Sequence, residues 1–287
     1  MKIVTDSGAD LPPEWLLEHG VTNVPLHITW ENGDSADDIS HAAFYERLAR
    51  EENPPKTSQP SVGEFRDVYQ RLVHEDADIV SVHISSGLSG TLRSAHVAAE
   101  MVSEANVTVV DTLTLSGAEG WQVRAAVAAA QAGDTVEAVV DKLARVRAAT
   151  TTIYTLDTLH YLILGGRIGR VKGSVGSLLN IKPLIAVDRH TGTYVQVGTG
   201  RGLVRAMKNL VEHVAAEVGE GAEIVAQVMH AQAPGLAARL HDQIENRFQT
   251  HWLPLGEISP VLGSHTGPGL VGIGFALTSA LAGIDFA

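Results

Sequence analysis

Three short apolar runs, each breaking into a loop of hydroxyls and glycine and then into a helical stretch, limit the fold of this chain more than any other feature. Lys2–Val4 runs into Thr5-Asp6-Ser7-Gly8. Ala77–Ile84 is nearly all β-branched or apolar and ends at Ser85-Ser86-Gly87-Leu88-Ser89-Gly90-Thr91, with helical spacing from about Arg93 to Val102. Asn106–Val110 ends at Asp111-Thr112, and Gly117 and Gly120 lead into an Ala-rich helix around Trp121–Ala132. Strands that are apolar on both faces belong to buried parallel sheets. Alternation with helices predicts an open parallel sheet with helices on both faces. Between these units, Asp10 and Pro12-Pro13 suggest a capped helix start, and Val21–Trp30 reads as one strand. Ser40 caps a helix over Ser40–Ala49, and Ser61-Val62-Gly63-Glu64 has the capping-box spacing.

The second half reads differently. A helical stretch at Asp157–Leu164 precedes glycines 165, 166, 169, 173 and 176. Strands are expected at Leu184–Val187 and Tyr194–Val197, flanking the turn His190-Thr191-Gly192, then near Glu223–Met229, Leu255–Ser259 and Gly272–Leu277, with a helix over about Val204–Glu217. Adjacent strands joined by a turn imply a mixed sheet. The 287 residues approach twice the usual domain length. The expectation is therefore an α/β protein of two domains: residues 1–150 with the parallel sheet and hydroxyl loops, and residues 151–287 with a mixed sheet.

Charge narrows the partners. There are 21 Lys+Arg against 33 Asp+Glu, a net charge of −12, so nucleic acid is not an expected partner. The charge is uneven: Thr158–Val211 holds one acid, Asp188, and eight cations, Arg167, Arg170, Lys172, Lys182, Arg189, Arg201, Arg205 and Lys208. Such polarity can orient a protein toward an anionic partner or surface. The chain has no cysteine, which excludes disulfides, thiolate metal sites and a cysteine nucleophile and suits a cytoplasmic setting. The first residues lack the apolar run of a signal peptide, and Leu270–Ile284, at about 15 apolar or small residues, is short for a membrane span.

Ligands of an open parallel sheet bind at the carboxyl ends of its strands. Thr5-Asp6-Ser7, Ser85–Thr91 and Asp111–Gly120 belong there, and Thr57-Ser58-Gln59-Pro60-Ser61 is a fourth hydroxyl cluster. Glycine admits a close approach of backbone to ligand, and helix N-termini offer N–H groups to negative charge. A phosphate and a carboxylate fit such loops equally. His265-Thr266-Gly267-Pro268-Gly269 adds a histidine held by a tight turn. Gly87-Leu88-Ser89-Gly90-Thr91 approaches a nucleophile elbow, so a serine hydrolase of acyl esters using Ser89, Asp111 and His265 is an alternative. No histidine pair has metal-ligand spacing, and no dinucleotide or Walker motif is present, so no metal or cofactor is expected.

Together these motifs resemble the DegV family: Thr5-Asp6-Ser7, the T-S-Q-P-S run from Thr57, the run Ser85–Thr91, Leu159-His160-Tyr161-Leu162 with Gly165-Gly166-Arg167-Ile168, Lys182-Pro183, and His265–Gly269. The likeness covers nearly the whole chain. It implies a bacterial two-domain fatty-acid-binding protein, in some cases the lipid-carrying subunit of a fatty acid kinase in phospholipid synthesis. The implied carboxylate ligands are Thr57 or Ser58, Ser89 with Gly90, and His265 with Thr266. Arg167, Asp6, Ser7 and Asp111 are implied nearby. Thr112 stands where the family usually has serine, and His160 where it commonly has an acid.

A buried carboxylate needs several hydrogen-bond donors, and hydroxyl donors without a salt bridge leave an oxygen able to attack a phosphoryl group. The implied activity is not catalysis by this chain. A long-chain fatty acid is presented to a separate ATP-dependent kinase subunit, which forms the acyl phosphate. Arg201 and Arg205 are the candidates for docking that kinase or, transiently, an anionic membrane surface.

Overall fold

The computed structural model describes residues 1–37, 39–167 and 180–287. Ile168, Arg170, Lys172 and the glycines at 169, 173 and 176 lie outside the described residues. The first sheet has four parallel strands, β1 (Lys2–Asp6), β2 (Thr22–Val24), β5 (Asp78–His83) and β6 (Asn106–Asp111), in the order β2-β1-β5-β6. All carboxyl ends therefore share one edge. Helices α1 (Pro13–Glu18), α3 (Val62–Leu72), α4 (Thr91–Glu100), α5 (Ser116–Gln131) and α6 (Val136–Ala149) belong to this part, and α2 (His41–Leu48) precedes a small antiparallel pairing of β3 (His27–Thr29) with β4 (Lys56–Ser58).

The second sheet is mixed, as expected. Its order is β11-β10-β13-β7-β8-β9, with β12 also on β10. These strands are β7 (Thr151–Thr155), β8 (Ile181–Val187), β9 (Tyr194–Arg201), β10 (Glu223–His230), β11 (Gln249–Trp252), β12 (Gly256–Glu257) and β13 (Val271–Leu277). Helices α7 (His160–Leu164), α8 (Leu203–Val218), α9 (Pro234–Glu245) and α10 (Pro260–Thr266) complete the described fold.

Local chemistry explains both matches and departures. Ser40 accepts from Ala43 N at 3.3 Å, and Ser61 and Glu64 form the full capping box. The Val21–Trp30 reading breaks at Pro25, which has no N–H for a ladder; β2 pairs with β1 before it and β3 with β4 after it. Thr57 and Ser58, expected in a loop, lie in that partner strand, β4. Asp10 does not cap α1, whose cap residue is Pro12; its carboxylate turns instead to Ser116 and Ser259. The strand placed at Leu255–Ser259 shrinks to Gly256–Glu257, while β11 and α9 carry no strong signal in the sequence.

Leu270–Ile284 resolves into β13 and a 3-10 turn, and no helix among the described residues is long and apolar enough to cross a membrane. Alternation gives the two faces of β13 opposite characters. Val271, Ile273 and Phe275 pack with α8 and α9 in one core. The opposite face carries only Gly272, Gly274 and Ala276. That bare face turns toward α5 and α10. One further core joins Phe44 and Leu115 to Tyr154 of the second sheet and Leu262, and another draws on both sheets through Val82, Trp121, Ala276 and Leu281.

Candidate functional site

The site is assembled by β4, α10, the loop before α4 and the turn after α7. Side chains alternate along β4, so Thr57 and Ser58 face opposite ways. Thr57 is half-buried and its Oγ1 lies 2.7 Å from His265 Nε2; Ser58 is exposed. Gln59 covers the next loop so closely that a Cβ on Gly90 would fall 1.8 Å from Gln59 Oε1, and Gln59 Nε2 donates to Ser94 Oγ at 2.9 Å. A side chain at position 90 would have to displace the Gln59 amide from this position. The hydroxyls of half-buried Ser89 in the loop and of buried Thr91 at the start of α4 are 2.8 Å apart.

The turn after α7 closes the other side. A Cβ on Gly165 would meet His265 Nδ1 at 2.4 Å, so the Gly-Gly-Arg turn rests against the imidazole. Arg167 folds back over it, Nη1 donating to Gly165 O at 2.7 Å. On α10, His265 and Thr266 are both buried. His265 reaches Thr57, and Thr266 lines a narrow apolar cavity. That cavity runs between the start of α5 and the bare face of β13, past Leu115, Gly117, Ala118, Tyr154, Met229 and Leu262. It is narrow, with a volume of about 30 Å³.

Other residues singled out in the sequence have structural partners. Asp6 Oδ1 accepts from Gly8 N at 2.8 Å, and Oδ2 accepts from Ile84 N at 3.0 Å and pairs with His83 Nδ1 at 2.9 Å. His83 Nε2 continues to Ser81 Oγ at 2.6 Å and on to the Tyr69 hydroxyl at 2.8 Å. Ser7 Oγ accepts from Leu26 N, and Asp111 takes both the hydroxyl and the N–H of Ser86. Ser89, Asp111 and His265 thus do not hydrogen-bond to one another among the described residues. The relay a serine hydrolase needs is not assembled.

The loop after β5 is also pinned from the second sheet. Ser85 Oγ donates to Gly192 O at 2.8 Å, and a Cβ on Gly87 would meet Thr191 O at 2.7 Å. The β8–β9 turn therefore fixes the loop that carries Ser89.

Two buried carboxyls escape a reading of the sequence, because nothing in their local pattern separates them from surface acids. Burial pushes Asp10 up from 3.8 to about 7, against the lowering bonds from Ser116 and Ser259. Glu119 on α5 is wholly buried with neither oxygen hydrogen-bonded, and burial together with Asp6, Asp10 and Asp111 raises it well above the usual carboxylate range. The basic segment is divided. Lys182 pairs with Asp157 and Arg189 with Glu217, whereas Arg201, Arg205 and Lys208 line one surface groove. Among the described residues no cluster of three or more His, Asp or Glu could hold a metal ion.

Residues 1–278 match the model of the family described as uncharacterised protein, DegV family. A DegV domain-containing protein of Deinococcus radiodurans is 38% identical over 283 residues, 97% of this chain and 99% of its own. A DegV family protein from Thermus thermophilus, described for its fatty acid binding, superposes with TM-score 0.87 at 31% identity, covering 96% of this chain and 99% of that one. A DegV lipid-binding protein from Thermotoga maritima superposes with TM-score 0.86 at 31% identity, covering 96% and 98%.

Proposed function

The chain belongs to the DegV family, and from that membership we propose that it binds one long-chain fatty acid and presents its carboxylate to a separate ATP-dependent kinase. The observation that carries this reading is the adjacency of His265 and Thr266. One residue sits in the polar cluster and the next lines the apolar cavity, so a head group and an acyl chain have adjoining places. An apolar cavity behind the polar cluster favours a fatty acid over a phosphate ligand. Relatives described as binding fatty acids or lipid support the ligand class.

In this reading Thr57, Ser89 and His265 donate to the carboxylate, with the N–H groups at the start of α4, including Gly90, adding partial positive charge. Arg167 and Thr266 support them. Asp6, Ser7 and Asp111 hold the loops. At ~0.8 kcal/mol per methylene, a chain of about 14 methylenes gains roughly 11 kcal/mol before association costs. The channel thus supplies most of the affinity and the polar cluster selects the head group. A carboxylate held by hydroxyls keeps an oxygen lone pair for in-line attack on the γ-phosphorus of ATP held by the kinase. The new O–P bond gives the acyl phosphate, and ADP leaves. Arg201 and Arg205 serve the docking of that kinase.

Native mass spectrometry of the purified protein, followed by denaturing extraction and lipid identification, tests the core of this function. A one-to-one adduct that extracts as a fatty acid is expected. A clean mass that stays unchanged when fatty acid is added would remove the reading.

A further inference from the structure

Resting on the reading of the cavity as the acyl site, we propose that Trp121 is the stop that sets the length of the bound acyl chain, with its last methylenes lying over Gly274. Three independent observations converge on this pair. Residues three and four apart share a helix face, so Trp121 follows Gly117 and Ala118 on the side of α5 that lines the cavity. On the opposite wall Gly274 is the last lining residue of β13, and a Cβ built on it would meet Trp121 Cζ2 at 3.8 Å. The indole is fixed: it is fully buried, Nε1 donates to Gln227 Oε1 at 2.7 Å, and Gln227 Nε2 donates to Pro254 O at 2.8 Å.

The direction of the channel is set by its ends. Leu262 and Thr266 lie beside His265, so the head group takes the α10 end. Trp121 takes the far end. Gly272 and Gly274, both bare on the cavity face, differ in what they would tolerate. A Cβ on Gly272 would strike Tyr154 Cβ at 2.4 Å, whereas one on Gly274 makes ordinary contact only. Position 274 can therefore accept a Cβ in ordinary contact, and a side chain there would extend beside Trp121 into acyl space. Valine suits a strand there.

Extracted lipids of wild type, Trp121→Leu and Gly274→Val are compared by mass spectrometry, and their affinities for saturated fatty acids two carbons apart are measured by displacement of a fluorescent fatty acid. Each methylene admitted or excluded changes affinity by about fourfold, so a two-carbon step changes it by about fifteenfold. Trp121→Leu is expected to raise the preference for the longer homologue, and Gly274→Val to move it to the shorter. Fatty acid in all three proteins with an unchanged chain-length profile would overturn the stop. No fatty acid in the wild type would instead remove the ligand reading beneath it. Should Trp121→Leu not fold, Gly274→Val decides: a shift to shorter chains supports the stop, and a wild-type profile overturns it.

Discussion

Thr57 Oγ1 lies 2.7 Å from His265 Nε2, although 208 residues separate them in the chain. The contact joins a two-strand side element to the last helix and points one of two neighbouring hydroxyls into the site. Thr57→Val keeps the shape and removes the hydroxyl. A hydrogen bond to a charged group is worth about 1.5–3 kcal/mol, so fatty-acid affinity should fall about 10- to 100-fold. Thr57→Ser should retain most of it. Ser58→Ala should change little, since that side chain is exposed. Displacement of a fluorescent fatty acid measures all three, and a loss with Ser58→Ala but not with Thr57→Val would reverse the assignment.

That pair also marks what the sequence makes legible. Parallel strands ending in hydroxyl loops are visible because β-branched runs and glycines signal locally. The capping box at Ser61 and the turn at Gly192 are local for the same reason. The pairing of β4 with β3, and hence which hydroxyl turns inward, depends on Pro25 ending one strand so that another can begin. Three residues are too few for a periodic signal. The apolar cavity beside α10 is equally hidden. Val271-Gly272-Ile273-Gly274 reads as an apolar segment, and only the placement of α5 across its glycine face makes a channel.

Asp6 belongs to a site loop by sequence, yet its two oxygens hold Gly8 N, Ile84 N and His83. Asp6→Asn keeps one acceptor oxygen and replaces the other with a donor that faces the Ile84 N–H. Breaking a buried pair of this kind costs about 3 kcal/mol. Urea unfolding should register that loss, with little change in fatty-acid affinity in the absence of denaturant. Full stability combined with lost binding would make Asp6 a direct ligand group instead.

Arg201, Arg205 and Lys208 line a groove in which Arg247 is already paired with Glu212 and Glu220. Reversing Arg201 and Arg205 to Glu should slow kinase-coupled acyl phosphate formation about tenfold at low salt, with fatty-acid binding intact. The deficit should shrink as salt screens the groove. Unchanged turnover at low salt would exclude this groove as the docking surface.

Asp10 gives the pH response a definite sign. Its folded value near 7 lies above the unfolded 3.8, so between these limits the folded state keeps a proton that the unfolded state releases. Stability should therefore fall as pH rises from about 4 to about 7, by up to about 4 kcal/mol. Glu119, raised by burial, and His27, raised chiefly by Asp37, act in the same direction, so the comparison of wild type with Asp10→Asn isolates the aspartate. Asparagine tolerates the left-handed backbone at position 10, φ +50°, and its oxygen can still accept from Ser259 N. Its amide can donate to Ser116 Oγ, which now donates to the carboxylate. The variant should match the wild type only below about pH 4, where the aspartate is protonated in both states, and be more stable at pH 8 in urea melts. Equal slopes for the two proteins would mean that Asp10 ionises in the folded state as freely as in the unfolded chain.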